Sequence, residues 1–174
     1  PVNSCTSALH LAVHTLKVGP GQGVITSPLT FASTAHVIMY QQARPYFADI
    51  DPETGNLDPA EVRRFLETEC TLSNGQPRHK LTGDLITTLM PVHYGGHAVD
   101  LDEFWRIAVD YNLNMVEDAA HAIGSRYRDL PIGHPDLRPE AARRLKSFTT
   151  FSFYATKNLS TGEGGFISGP DGEL

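Results

Sequence analysis

The sequence predicts an α/β fold in which a mainly parallel sheet is covered by helices on both faces, and two observations carry that expectation. Segments of strand character alternate with segments of helical periodicity along the chain. Among the strands, "LITTLMPV" and "NMVED" are apolar on both faces, as a strand buried between two helical layers has to be.

The elements follow in order. From Thr6 to Lys17, apolar Ala8, Leu9, Ala12, Val13 and Leu16 recur at helical spacing, with Cys5 or Thr6 near the cap and Gly19-Pro20 beyond the end. "GVITS" is a short buried strand, a Pro-Leu-Thr-Phe loop follows, and a second helix runs from about Ser33 to Gln41. "RPYFADI" reads as the next strand. Asp58 as N-cap and Pro59 at the first helical position open a third helix that ends near Glu67. The polar stretch "TLSNGQPRHKLTGD" reads as a loop insertion before "LITTLMPV". Asp100 caps a fourth helix, Leu101 to Tyr111, and "NMVED", "SFTTFSFYA" and "GGFIS" complete the sheet.

Composition narrows the function classes. With 174 residues, 40% of them hydrophobic, the chain can bury one substantial core. A net charge of −6 from scattered acids gives no footprint for nucleic acid. No apolar run approaches the roughly 20 residues of a membrane helix, and no basic-then-apolar leader opens the chain, so the expected location is cytoplasmic. Cys5 and Cys70 lie in unlike contexts and are expected as free thiols.

Three segments carry chemistry. In "NSCTSALHL" the start of the first helix offers unpaired backbone N–H groups beside small hydroxyl residues, which suits a phosphate as well as an ordinary cap. In "MVEDAAHAIGS" the strand ends on Glu117-Asp118 at the sheet rim where ligands collect in such folds. A pyridine ring held there would keep its nitrogen protonated beside Asp118, and a surface acid or helix cap is the plainer alternative. Glu117 should point to the other side of the strand. In "FSFYATKNLSTGEGG" apolar flanks would desolvate Lys157 and make its amine nucleophilic, whereas a lone lysine after a strand is ordinarily solvated.

Together, "SCTSALHLA", "TFASTAHVI", "FADIDPETGNLDP", "MPVHYGGHAVDLD", "VEDAAHAIGS" and "FSFYATKNLSTGEGG" resemble the hallmark segments of the DegT/DnrJ/StrS sugar aminotransferases, enzymes of the aspartate-aminotransferase fold that use pyridoxal 5'-phosphate. The resemblance implies that residues 1–174 are part of the large cofactor-binding domain, without the N-terminal segment and the small C-terminal domain. It implies Lys157 as the Schiff-base lysine and Asp118 as the partner of the pyridinium nitrogen. Thr6, Ser7 and Ser152 become phosphate ligands, Phe31 the aromatic stacked on the ring, and His121 a neighbour of the phenolic oxygen. The implied reaction is ping-pong transamination from an amino donor, by family habit glutamate, to a keto-sugar, by family habit nucleotide-linked. The implied assembly is a homodimer, and the isolated chain is expected to be a poor enzyme. Sugar dehydratases of the same fold carry histidine in place of the lysine, so Lys157 argues against them. A catalytically silent regulatory or scaffold domain would have little reason to keep the whole set.

Other segments read as structural. His10 and His14 share a helix face but have no third metal ligand in view. His93 and His97 read as loop histidines at the rim, Tyr94 beside them is given no role, and Asp49 and Asp51 read as turn and cap residues. "GEGG" shapes a turn beyond Lys157. The segment "RYRDLPIGHPDLRPEAARRLKSFTT" is longer and more basic than the short hairpin usual in the family, with "LRPEAARRLK" able to form a short helix.

Overall fold

In the computed structural model, which describes residues 1–169, helices and strands alternate as the patterning requires. Helix α1 spans Cys5–Thr15 and starts one residue earlier than its periodicity implied, because Ser4 is the cap and accepts a hydrogen bond from the Ser7 N–H. Strand β1 (Gln22–Thr26) leads into α2 (Ala32–Tyr40), and β2 (Arg44–Phe47) follows. Helix α3 (Pro59–Thr68) has Asp58 as N-cap, its side chain accepting from the Ala60 N–H.

The predicted loop insertion is a correction. Residues 70–79 form an antiparallel hairpin, β3 (Cys70–Ser73) and β4 (Gln76–His79), turned at Asn74 and Gly75 with φ of 53° and 77°. Both turn residues take positive φ, the requirement that makes Asn-Gly a hairpin signal and that polar composition had masked. Strand β5 (Leu85–Met90) enters the core, and α4 (Leu101–Tyr111) is capped by Asp100. Then come β6 (Asn114–Asp118), a small hairpin of β7 (Arg126–Tyr127) and β8 (Leu130–Pro131), β9 (Ser147–Ser152) and β10 (Gly165–Ser168). Within the long basic connector, "LRPEAARRLK" yields only one 3-10 turn, Glu140–Ala142.

The sheet runs β10-β9-β6-β5-β1-β2, with β4 joined to the start of β5. The pairs β2/β1, β1/β5, β5/β6 and β6/β9 are parallel, and β10 is an antiparallel edge. Neighbouring residues on one strand feed opposite layers. Val24, Met90 and Val116 pack with Leu9, Val13, Val37 and Ile38 of α1 and α2, while Ile25, Leu89 and Met115 pack with Leu66, Phe104 and Ile107 of α3 and α4. This period of two puts Asp118 on the α1/α2 side and Glu117 on the other, as expected from the sequence. The parallel strands aim their carboxyl ends at one rim, where α1 and α2 begin. No described helix is long and apolar enough to cross a membrane.

Candidate active site

Gly165 fixes the first part of the site. It pairs with Ser152 of β9 on one side and, through two backbone hydrogen bonds of 2.9 Å, with Val2 on the other. A Cβ on Gly165 would lie 2.4 Å from the carbonyl carbon of Ser4, so only glycine lets the start of α1 come this close. The first turn of α1 is thereby set beside Ser152. The Ser7 N–H is used by the Ser4 cap at 3.1 Å, whereas Cys5 and Thr6 stand in the turn whose N–H groups have no carbonyl within the helix. "GEGG" is thus more than a turn, since its last glycine is a packing contact.

A cavity of about 610 Å³ opens over this end of the sheet, lined among others by Thr6, Phe31, Asp118, His121, Ser152 and Lys157. Six of the seven residues singled out from the sequence therefore share one cavity. Ser7 does not line it; its hydroxyl donates to Asn3 Oδ1 at 2.6 Å. Ser152 is buried, and its Oγ accepts from the Tyr154 N–H at 3.4 Å. Phe31 is the N-cap of α2 and stands 78% exposed at the mouth. Lys157 is half-buried, less enclosed than its apolar flanks implied, because Tyr154 to Thr156 and Asn158 to Ser160 are exposed.

Asp118 is the most enclosed of the set, at 4% exposure. Its Oδ2 accepts from Thr34 Oγ1 at 2.8 Å, and its Oδ1 accepts from the Ala120 N–H at 3.2 Å. Burial holds its pKa above the ordinary carboxylate value, opposed by the Thr34 and Ala120 hydrogen bonds. Cys5 lies alongside, with Sγ 4.0 Å from Oδ1, and burial together with the Asp118 charge pushes its thiol up to about 12. Cys5 is consequently a neutral thiol in the wall. The exposed His121 has a lowered pKa, first through desolvation and second through the Lys157 charge.

Several contributors escaped the sequence reading. Thr34 lies within "TFASTAHVI", a segment in which the resemblance points to Phe31 alone. His93 lines the cavity at the rim but is more than a loop histidine: it is 1% exposed, with Nε2 at 3.1 Å from Glu117 Oε2. Asn56 is buried in the connector, accepting from the Tyr94 N–H at 2.9 Å and donating to the carbonyls of His97 and Ala98 at 3.2 Å, which holds Tyr94 at the cavity. Asp51 behaves as a turn residue, accepting from the Glu53 N–H and the Thr54 hydroxyl. His10 and His14 are bridged by Gln41, at 2.6 and 3.4 Å. Both cysteines are free and buried.

A family model, that of the DegT/DnrJ/EryC1/StrS aminotransferase family, matches residues 1–174. The chain belongs to that family. The spore coat polysaccharide biosynthesis protein SpsC of Bacillus subtilis is 44% identical to this DegT/DnrJ/EryC1/StrS chain over 173 residues, 99% of the chain and 38% of SpsC. GDP-perosamine synthase of Caulobacter vibrioides is 36% identical over 172 residues, 99% of the chain and 39% of that protein. The crystal structure of S. venezuelae DesV matches with a TM-score of 0.80 at 32% identity, covering 99% of the chain and 40% of DesV. The chain spans well under half the length of these relatives.

Aminotransferases of the DegT/DnrJ/EryC1/StrS family depend on pyridoxal phosphate. The donor set of this member fits that group. Asp118 is enclosed yet has no lysine or arginine in ion-pair contact among the described residues, and a protonated ring nitrogen would supply the missing cation. The first turn of α1 and Ser152 suit a phosphate, and the Lys157 amine lines the same cavity.

Proposed function

We propose that this chain is the cofactor-holding part of an aminotransferase that moves an amino group from an amino acid, glutamate by family habit, to a nucleotide-linked keto-sugar. The observation that carries the reading is the enclosure of Asp118 in the cavity that Lys157, Thr6 and Ser152 also line. Names of relatives support the substrate class, since GDP-perosamine synthase is a nucleotide-sugar enzyme by its name and SpsC acts in polysaccharide biosynthesis.

Bound pyridoxal phosphate supplies an electron sink for the carbanion left when a substrate carbon loses its proton. The chain's own residues do the rest. Thr6, Ser152 and the N–H groups of the first turn of α1 would hold the phosphate, and Asp118 would keep a proton on the ring nitrogen. Phe31, which lines the cavity, would offer the bound group an aromatic face and exclude water there. Lys157 would hold the cofactor through its amine, and its Nζ, when free, would take up the proton lost by the substrate carbon. His121, kept neutral by desolvation and by the Lys157 charge, can hydrogen-bond beside the phenolic oxygen. In the complete protein we place residues 1–174 in the large domain of a cytoplasmic homodimer, with the remaining pocket walls supplied by segments outside this chain and by the second subunit.

The test is the visible absorption of the full-length protein with pyridoxal phosphate. A bound-cofactor band that bleaches on adding glutamate, followed by recovery on adding a nucleotide keto-sugar, is expected. A band inert to every amino donor would instead indicate a silent homologue, and no band at all would remove the cofactor assignment.

A further inference from the structure

Thr34 reaches Asp118 from the first turn of α2, and it is completely buried. Its Oγ1 lies 2.8 Å from Asp118 Oδ2 and 2.7 Å from Thr30 Oγ1. A hydroxyl owns a single proton, and an ionised carboxylate can only accept. The Thr34 proton therefore goes to Asp118, which obliges Thr34 Oγ1 to accept from Thr30. The direction of the whole chain is fixed: Thr30 O–H to Thr34 O–H to Asp118 Oδ2. Thr30 is half-buried and lines the cavity, so the relay runs from the cavity wall to the buried anion. Consecutive hydrogen bonds of one polarity strengthen each other where water is excluded.

We propose that Thr34, polarised by Thr30, is a positioning residue that aims the Asp118 carboxylate into the cavity and holds it as an anion. The inference rests on the reading above that this cavity takes pyridoxal phosphate. The other groups that face Asp118 cannot replace Thr34. From α1 comes the Cys5 thiol at 4.0 Å, a weak donor whose nearer partner is Thr150 Oγ1 at 3.7 Å. From the loop after β6 comes the Ala120 N–H, which serves Oδ1, and His121, which is exposed. From the loop after β5 comes His93, whose Nε2 faces Glu117. Oδ2 thus has Thr34 as its hydroxyl donor, and a side chain of the same shape without the hydroxyl would leave that oxygen bare.

Two measurements on the full-length protein test this, with Thr34→Val removing the donor and Thr34→Ser restoring it. In the cofactor-free protein, the ¹³C signal of the Asp118 carboxyl is followed against pH; it should titrate at higher pH in Thr34→Val than in wild type, with Thr34→Ser close to wild type. Equilibrium binding of pyridoxal phosphate should weaken about tenfold in Thr34→Val, the scale of one lost hydrogen bond to a charged group, and recover in Thr34→Ser. Coincident carboxyl titrations in wild type and Thr34→Val overturn the proposal, as does equal loss of affinity in the Val and Ser variants. If Thr34→Val does not fold, Thr30→Val removes the outer link at a half-exposed position and should shift the titration the same way, by less; no shift there overturns the proposal too. Failure of wild type to bind pyridoxal phosphate sinks the functional reading alone, because the carboxyl titration judges Thr34 without the cofactor.

Discussion

The imidazole of His93 and the carboxylate of Glu117 meet at 3.1 Å, with both side chains withdrawn from water. The Val99 N–H donates to His93 Nδ1 at 3.2 Å, which leaves Nε2 as the protonated nitrogen and makes it the donor to Glu117. Thr149 donates to the other Glu117 oxygen at 3.0 Å. The three residues tie the loop after β5 to β6 and β9. Glu117→Ala should destabilise the fold by about 3 kcal/mol, by orphaning two buried donors and opening a void, and Thr149→Val by about 1 kcal/mol. Urea unfolding of the two variants checks the order.

Lys157→Ala removes the only amine placed in the cavity wall by the described residues. Borohydride reduction of the full-length protein with pyridoxal phosphate should fix the cofactor on the Lys157 peptide in wild type and nowhere in the variant, as mass spectrometry would read. Turnover should fall by about 10²–10⁴-fold, the range for loss of a positioned proton-transfer group.

Asp118 gives the cofactor-free fold a pH signature. Its native pKa is raised above the ordinary 3.8, so between that value and the native one the folded state binds more protons than the unfolded state. Stability should therefore fall as pH rises through this window. Asp118→Asn should flatten that part of the profile, and pyridoxal phosphate should restore stability to wild type but not to the variant. Urea unfolding between about pH 4 and pH 8, with and without cofactor, measures both effects.

Gly165→Ala forces a methyl group to within 2.4 Å of the Ser4 backbone, where no flexible side chain can yield. The cost should be about 1–3 kcal/mol, and pyridoxal phosphate affinity should drop because the start of α1 is displaced from Ser152. Gly75→Ala is the control. It strains a turn residue with φ of 77° and empty surroundings, at about 1 kcal/mol, and should leave affinity alone. Thermal unfolding and equilibrium binding, run on both variants, separate the two effects.

What the sequence made legible was local. The two-sided apolar character of "LITTLMPV" and "NMVED", the Asp58 and Asp100 caps and the opposite facing of Glu117 and Asp118 all follow from neighbours within one element. The resemblance extended that to the cavity, placing six side chains around it. Missed features depend on partners far along the chain. Thr34 gains its meaning only from Asp118, 84 residues away, and His93 is buried only because Glu117 waits on another strand, 24 residues away. Ser7 shows the converse case: its hydroxyl has the right chemistry and local position, yet the Ser4 cap and Asn3 take its hydrogen bonds. The hairpin at Asn74-Gly75 was readable from its turn residues alone.

The Val2–Gly165 bridge makes the meeting of Thr6 with Ser152 depend on contact between segments far apart in the chain. Thr6 and Ser152 come together only when segments near opposite ends of the described chain have closed on each other. Such long-range closure is slow and entropically costly compared with forming any one helix. A ligand held by both Thr6 and Ser152 would bind only the closed form and would draw the chain toward it by mass action.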